Sequence, residues 1–167
     1  FSLRNMANEI DNVLMSTVET LGDAPYVRRT VERGYCELEF AEYLTDVVEK
    51  TEDLEFITIA DSASIRLFFI DPAEIGKPFL GDDQYRALAG EVYLSTAAPK
   101  NYGTQRRAFH PVWDEAGNVI GFVMASATYA RIDEMQGEII GSYIGIAVIL
   151  AACTLLLSGI LAVYLGR

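Results

Sequence analysis

Two arginines stand inside apolar, strand-like runs: Arg66 in Ile65-Arg66-Leu67 and Arg107 in Arg107-Ala108-Phe109. A charge buried without a partner is costly, and a guanidinium fork suits bidentate recognition of a carboxylate. Two readings stand side by side: carboxylate anchors, or surface arginines on solvated faces. His110 is the only histidine. On a strand it points away from Arg107 and Phe109, because side chains alternate faces. No nucleophile with a supporting carboxylate can be assembled around it. It is expected to be solvated or satisfied in a core, and the chain to carry no enzyme activity of its own. Asp82 and Asp83 could bind a divalent cation; the alternative is a solvated loop. The two cysteines are Cys36 and Cys153, and with a single histidine they cannot make a zinc cluster. No cofactor is expected.

These residues need elements to position them. Leu3, Met6, Ile10, Val13, Leu14, Val18 and Leu21 recur in steps of three and four, one stripe of an amphipathic helix over 1–22. Gly22 is expected to end it as a C-terminal glycine. Asp23 and Pro25 open a second short helix closing at Gly34. A third fits 37–50, with Phe40, Leu44, Val47 and Val48 on one side. From Leu54 the period changes. Strands are expected at 56–60, 65–70, 92–96, 104–113 and 119–127, with a short helix around 84–89. Helices gathered before five strands indicate an α+β domain on an antiparallel sheet.

The 167 residues are 51% hydrophobic and 22% charged, values of a folded chain. The net charge of −11 with no basic stripe excludes nucleic acid as a partner. Residues 139–166 are 28 positions without a charge, with Tyr143 and Tyr164 near the ends and Arg167 just beyond. A helix of that length crosses the roughly 30 Å hydrocarbon core, and the terminal arginine places the acidic domain outside. Cys153 then sits at bilayer depth, out of reach of Cys36. Gly141 and Gly145 form a GxxxG spacing, a candidate packing face for a second helix. The chain opens at Phe1 with no signal-peptide pattern, as a piece of a longer protein would. The expected organisation is an amphipathic helix at 1–22, an α+β domain at 23–131, a juxtamembrane helix at 132–138 and a membrane helix at 139–166.

Phe56-Ile57-Thr58-Ile59, Asp61 and Ile65-Arg66-Leu67 begin a longer pattern. It continues through Asp71-Pro72, Ile75-Gly76-Lys77, Gly81-Asp82-Asp83 and Gly90-Glu91-Val92-Tyr93-Leu94-Ser95. It closes with Arg107, Pro111-Val112, Asp114, Gly117 and Val119-Ile120-Gly121-Phe122-Val123. In order and spacing this resembles the extracytoplasmic single-Cache, PAS-like domain of the citrate and four-carbon-dicarboxylate sensor histidine kinases, over 2–132. The resemblance implies a five-stranded antiparallel sheet with a long N-terminal helix. It also implies a homodimeric receptor in the bacterial cell membrane that passes a ligand signal to a cytoplasmic output. A small organic acid would be the ligand. Thr58 matches the family's ligand-binding threonine, Arg66 its first arginine and Arg107 its second. Phe109 fits the dicarboxylate sensors rather than the citrate sensors. Two positions depart: the family histidine three residues after the first arginine is Phe69, and a serine on the last strand falls at Met124. They imply a carboxylate with fewer polar groups or with an apolar part, and Phe69 either retunes the pocket or closes it. On this reading Arg107→Ala abolishes ligand-dependent stabilisation with the unliganded melting temperature nearly unchanged, and Arg106, on the other face, is the control. Alternatives are the same domain on a cyclic-dinucleotide or chemotaxis receptor, or a ligand-free dimerisation or cation-sensing module.

Overall fold

The computed structural model describes residues 3–100 and 102–128. The chain divides into two units, Phe1–Ala130 and Arg131–Arg167, and the described residues belong to the first. The helices expected at 132–138 and 139–166, with the Gly141/Gly145 spacing, lie outside the described residues. Among the described residues, no helix is long and apolar enough to cross a membrane.

Three helices precede the sheet: α1 (Leu3–Gly22), α2 (Pro25–Arg33) and α3 (Leu38–Lys50). On α1 the stripe of Ile10, Leu14, Val18 and Leu21 is buried against the sheet, as the spacing requires. Gly34 ends α2 in the left-handed conformation, φ 75°, and its N–H bonds the Thr30 and Val31 carbonyls, the role glycine plays because it has no Cβ. Gly22 is the last residue of α1, as expected, but it does not take the left-handed backbone of a glycine cap. A Cβ there would fall inside the His110 ring. The glycine is demanded by close packing against the sheet, not by a left-handed cap conformation.

The strands are β1 (Phe56–Asp61), β2 (Arg66–Phe68), β3 (Tyr93–Ala97), β4 (Gln105–Trp113) and β5 (Val119–Thr128), with a one-turn helix α4 (Tyr85–Leu88) before β3. All pair antiparallel in the order β2-β1-β5-β4-β3. The expected α+β architecture with a five-stranded antiparallel sheet is present. Strand β2 is shorter than the sequence indicates. Its pairing with β1 shifts register between Ile59 and Ala60, and its outer side is taken by the following loop, where Arg66 N–H bonds Lys77 O and Gly76 N–H bonds Arg66 O. Phe69 and Ile70 therefore leave the ladder.

Alternation divides the sheet into two working faces. Ala108, His110 and Val112 face α1 and α2, and Arg106 ties this face to α1 through a two-pronged pair with Asp11, at 2.7 and 2.8 Å. The opposite face carries Thr58 and Ala60 of β1, Phe122 and Met124 of β5, and Arg107 and Phe109 of β4. Register aligns them: Thr58 faces Met124, which faces Phe109, while Arg107 faces Ser126. Phe79, Ala87 and Tyr93 cover the apolar end of this face and close a core cluster around Phe109, Phe122 and Met124.

Candidate functional site

At the polar end of that face lies a small cavity. β1 supplies Phe56 and Thr58, the β2 segment Arg66 and Phe69, β4 Gln105 and Arg107, and β5 Met124. Phe79, Leu80 and Tyr102 close it from the loops. Its volume is about 10 Å³, about what one water occupies. Of the six residues named from the sequence, Thr58, Arg66, Phe69, Arg107 and Met124 border this cavity. Phe109 does not: it packs below, stacked on Tyr93 at 5.1 Å and tilted against Phe122 at 5.9 Å.

Both arginines are buried, and both are paired within the chain. Arg107 Nη1 donates to Asp83 Oδ1 at 2.9 Å, both terminal nitrogens donate to Leu80 O, and Nε donates to Gln105 Oε1 at 3.0 Å. Burial pushes the guanidinium below its ordinary value, and the Asp83 carboxylate pulls it back. Arg66 Nη2 donates to Glu74 Oε2 at 2.6 Å, and Lys77 Nζ donates to the other oxygen at 2.8 Å. The Lys77 hydrogen bond, reinforced by the Lys77 and Arg66 charges, holds the Glu74 carboxyl below its ordinary range. The Arg66 guanidinium lies 5.3 Å from the Phe69 ring centre, close enough for a cation–π contact. The surface-arginine reading is overturned: a solvated face does not bury these side chains to 3% and 2% exposure.

Two polar groups bordering the cavity have no partner: the Thr58 hydroxyl and Arg66 Nε. Buried polar groups are ordinarily satisfied, and these two donors stand open at one cavity. Ser126 Oγ, opposite Arg107 in the ladder, is likewise buried without a partner. The sequence reading missed Glu74, Gln105 and Tyr102. Gln105 was within reach, two positions before Arg107 on the same strand face; nothing local marks Glu74 or Tyr102.

The other candidates are absorbed by structure. Asp83, named as a cation ligand, is engaged with Arg107, and among the described residues no group of three His, Cys, Asp or Glu side chains could hold a metal ion. Tyr93 donates its hydroxyl to the Asp83 carbonyl, and burial pushes that phenol up to about 12. His110 is buried on the α1 face, where Nδ1 donates to Pro111 O at 2.7 Å and the ring stands edge-on to Trp113.

Residues 4–136 match the family described as single cache domain 3. The chain belongs to the single Cache domain family. It is 31% identical over 124 residues to the sensor histidine kinase DpiB of Escherichia coli, covering 74% of this chain and 22% of that protein. It is 30% identical over 128 residues to the sensor histidine kinase DcuS of the same organism, covering 76% and 23%. The chain thus spans under a quarter of these curated relatives, and the match falls in their sensor region rather than their catalytic part. The crystal structure of the E. coli DcuS sensor domain superposes with a TM-score of 0.63 at 26% identity, covering 78% of this chain and 96% of that one.

Proposed function

We propose that the chain is the ligand-sensing region of a bacterial transmembrane receptor, with a histidine kinase as output, and that it binds a small organic carboxylate in the cavity between Thr58, Arg66 and Arg107. The observation that carries this reading is the pair of open, buried donors on Thr58 and Arg66 beside two buried guanidinium groups. Similarity to the sensor regions of DpiB and DcuS supports the class of receptor. The domain would stand outside the membrane as part of a homodimer, with the apolar run 139–166 as its membrane helix.

The mechanism follows from the cavity's size. A space of about 10 Å³ excludes any organic acid, so a bound state has the surrounding side chains moved apart. The ligand shifts the equilibrium only by its differential affinity for that arrangement. Met124 on the cavity wall belongs to β5, which pairs with β1 and β4 together. A change at the cavity therefore reaches the strand that leads toward the apolar run.

Calorimetry and thermal unfolding of the full chain in nanodiscs, against mono-, di- and tricarboxylates, test the reading. At least one acid should raise the melting temperature, since binding to the folded state stabilises it. Arg66→Ala should weaken that acid at least about thirtyfold, as removal of one partner of a buried charge pair costs roughly 2–5 kcal/mol. No stabilisation by any carboxylate would overturn it.

A further inference from the structure

We infer that Asp83 is an internal stand-in for the ligand's carboxylate, and that an organic acid binds by taking its place on Arg107; this rests on the carboxylate reading above and adds a residue that sets affinity. A guanidinium has five N–H donors, and Arg107 has four engaged: Nε with Gln105, Nη1 with Leu80 O and Asp83 Oδ1, and Nη2 with Leu80 O. The Asp83 pair measures 2.9 Å. An acid that reached Arg107 with Asp83 in place would set two carboxylates against one guanidinium, and like charges at that range repel. One of the two has to leave.

The strand arginines Arg66, Arg106 and Arg107 each have a carboxylate partner, and the three partners are held differently. Asp11 gives both oxygens to Arg106, at 2.7 and 2.8 Å. Glu74 gives one oxygen to Arg66 and the other to Lys77. Asp83 gives Oδ1 alone, and its Oδ2 is buried without a partner. The Asp83 side chain keeps 15% exposure against 2% for Arg107, so the acid has a route to water that the arginine lacks. Moving Asp83 outward restores hydration to an oxygen that has no bond, and the incoming acid supplies the charge that a buried guanidinium needs.

The loop that carries Asp83 is shaped around the pair. Gly81 takes φ 148°, and a Cβ there would lie 2.6 Å from both Arg107 Nη1 and Asp83 Oδ1. Only glycine lets the chain pass this close. Beyond it the backbone is anchored, because the Tyr93 hydroxyl donates to the Asp83 carbonyl. The main chain at Asp83 is thus tied to β3 while its side chain is free to turn. Gln84 Oε1, on the next residue, is also buried without a partner. Two adjacent buried acceptors left open are costly, and a loop carrying that cost gives way more readily than the paired strands β4 and β5. Leu80 lines the cavity, so a shift of this loop also enlarges the space an acid must enter.

The experiment is calorimetry on the full chain in nanodiscs, with empty nanodiscs subtracted, using butyrate, succinate and citrate, beside thermal unfolding without acid. Asp83→Asn keeps the shape of the side chain and removes the competing charge. Whichever of the three acids the parent binds tightest should bind this variant about tenfold tighter, the gain expected where Arg107 is free of its internal partner about one part in ten. The unliganded melting temperature should fall at the same time. A merely structural Asp83 would lose affinity together with stability. Asp82→Asn removes the same charge one residue away at an exposed position, where water and salt screen it, and should change affinity by less than about twofold. Should Asp83→Asn not fold, NMR of the carboxyl carbons in the parent reads the same event: saturation with that acid should move the Asp83 signal toward that of a solvated aspartate. Unchanged or weaker binding by Asp83→Asn, an equal gain from Asp82→Asn, or an Asp83 signal that does not move overturns this inference and leaves the carboxylate reading standing. Failure of all three acids, and of the wider carboxylate series, to bind the parent overturns the carboxylate reading itself.

Discussion

Arg107→Ala should destabilise the unliganded protein, against the expectation drawn from sequence that it would leave the melting temperature nearly unchanged. The reason is the company Arg107 keeps. Its guanidinium is 2% exposed and holds Asp83, Leu80 O and Gln105 Oε1 together. Truncation leaves the Asp83 carboxylate in place with its second oxygen already unpartnered. Breaking a buried pair from one side costs about 3–5 kcal/mol. Asp83 retains 15% side-chain exposure, through which water can soften the loss, so the lower end, about 3 kcal/mol, is the expected figure. At ~3 °C per kcal/mol for a domain of this size, the melting temperature should fall by about 10 °C. The chain has a single tryptophan, Trp113 at the end of β4, so its fluorescence reports unfolding of the sheet directly. Arg107→Lys keeps a charge for Asp83 but not the fork to Leu80 and Gln105, and should recover about half. Asp83→Ala combined with Arg107→Ala should cost less than the two single losses added, the sign of a coupled pair. An Arg107→Ala protein within about 1 kcal/mol of its parent would refute the claim that this arginine holds the unliganded site together.

Thr58→Val replaces a fully buried, unpartnered hydroxyl by a methyl of the same shape; stability should hold or rise by up to about 1 kcal/mol, while carboxylate affinity measured by calorimetry falls several-fold. Gly22→Ala should cost ~1–3 kcal/mol by driving a Cβ into the His110 ring, and joining it with His110→Ala should cost less than the sum of the two, read by thermal unfolding. Asp114 accepts from Ala116 and Asn118 N–H and from the Asn118 amide at the β4–β5 turn. These bonds, the Asn118 side chain first, hold its carboxyl below the ordinary 3.8. A depressed carboxylate contributes stability that is complete above that ordinary value and lost as pH falls through the folded one. The melting-temperature gap between the parent and Asp114→Ala should therefore be present at pH 7 and shrink below about pH 3.8.

The sheet was legible because its signal is local. The mostly apolar stretch from Ala108 to Trp113 and the dense run from Val119, split by a turn-forming Asp114 to Asn118, place two central strands without any knowledge of their partners, and the three- and four-residue steps from Ile10 to Leu21 do the same for α1. The face shared by Arg107 and Phe109 also follows from alternation. What local pattern cannot supply is depth along that face: Phe109 goes under Tyr93 and Phe79, while Arg107 remains at the cavity. Nor can it supply pairing at a distance. Asp83 reaches Arg107 across 24 positions and Asp11 reaches Arg106 across 95, so an acid that reads as a loop residue becomes the counter-charge of the site. Gly22 shows the same limit: it ends α1 as its neighbourhood indicates, but the constraint that demands a glycine comes from a ring on β4.

The position of β5 bears on the order in which this domain can be made. It is the last described strand in sequence and the middle one in the sheet. β1 and β4 each bond to it, and Phe56 waits for Ser126. Until β5 is available, the β1–β2 and β3–β4 hairpins are separate ribbons with open edges, marginal alone in water and prone to pair with other chains. Their union is a long-range step of the kind that sets slow folding rates. A chain ending before Val119 would be two unjoined ribbons, not a smaller version of the sheet.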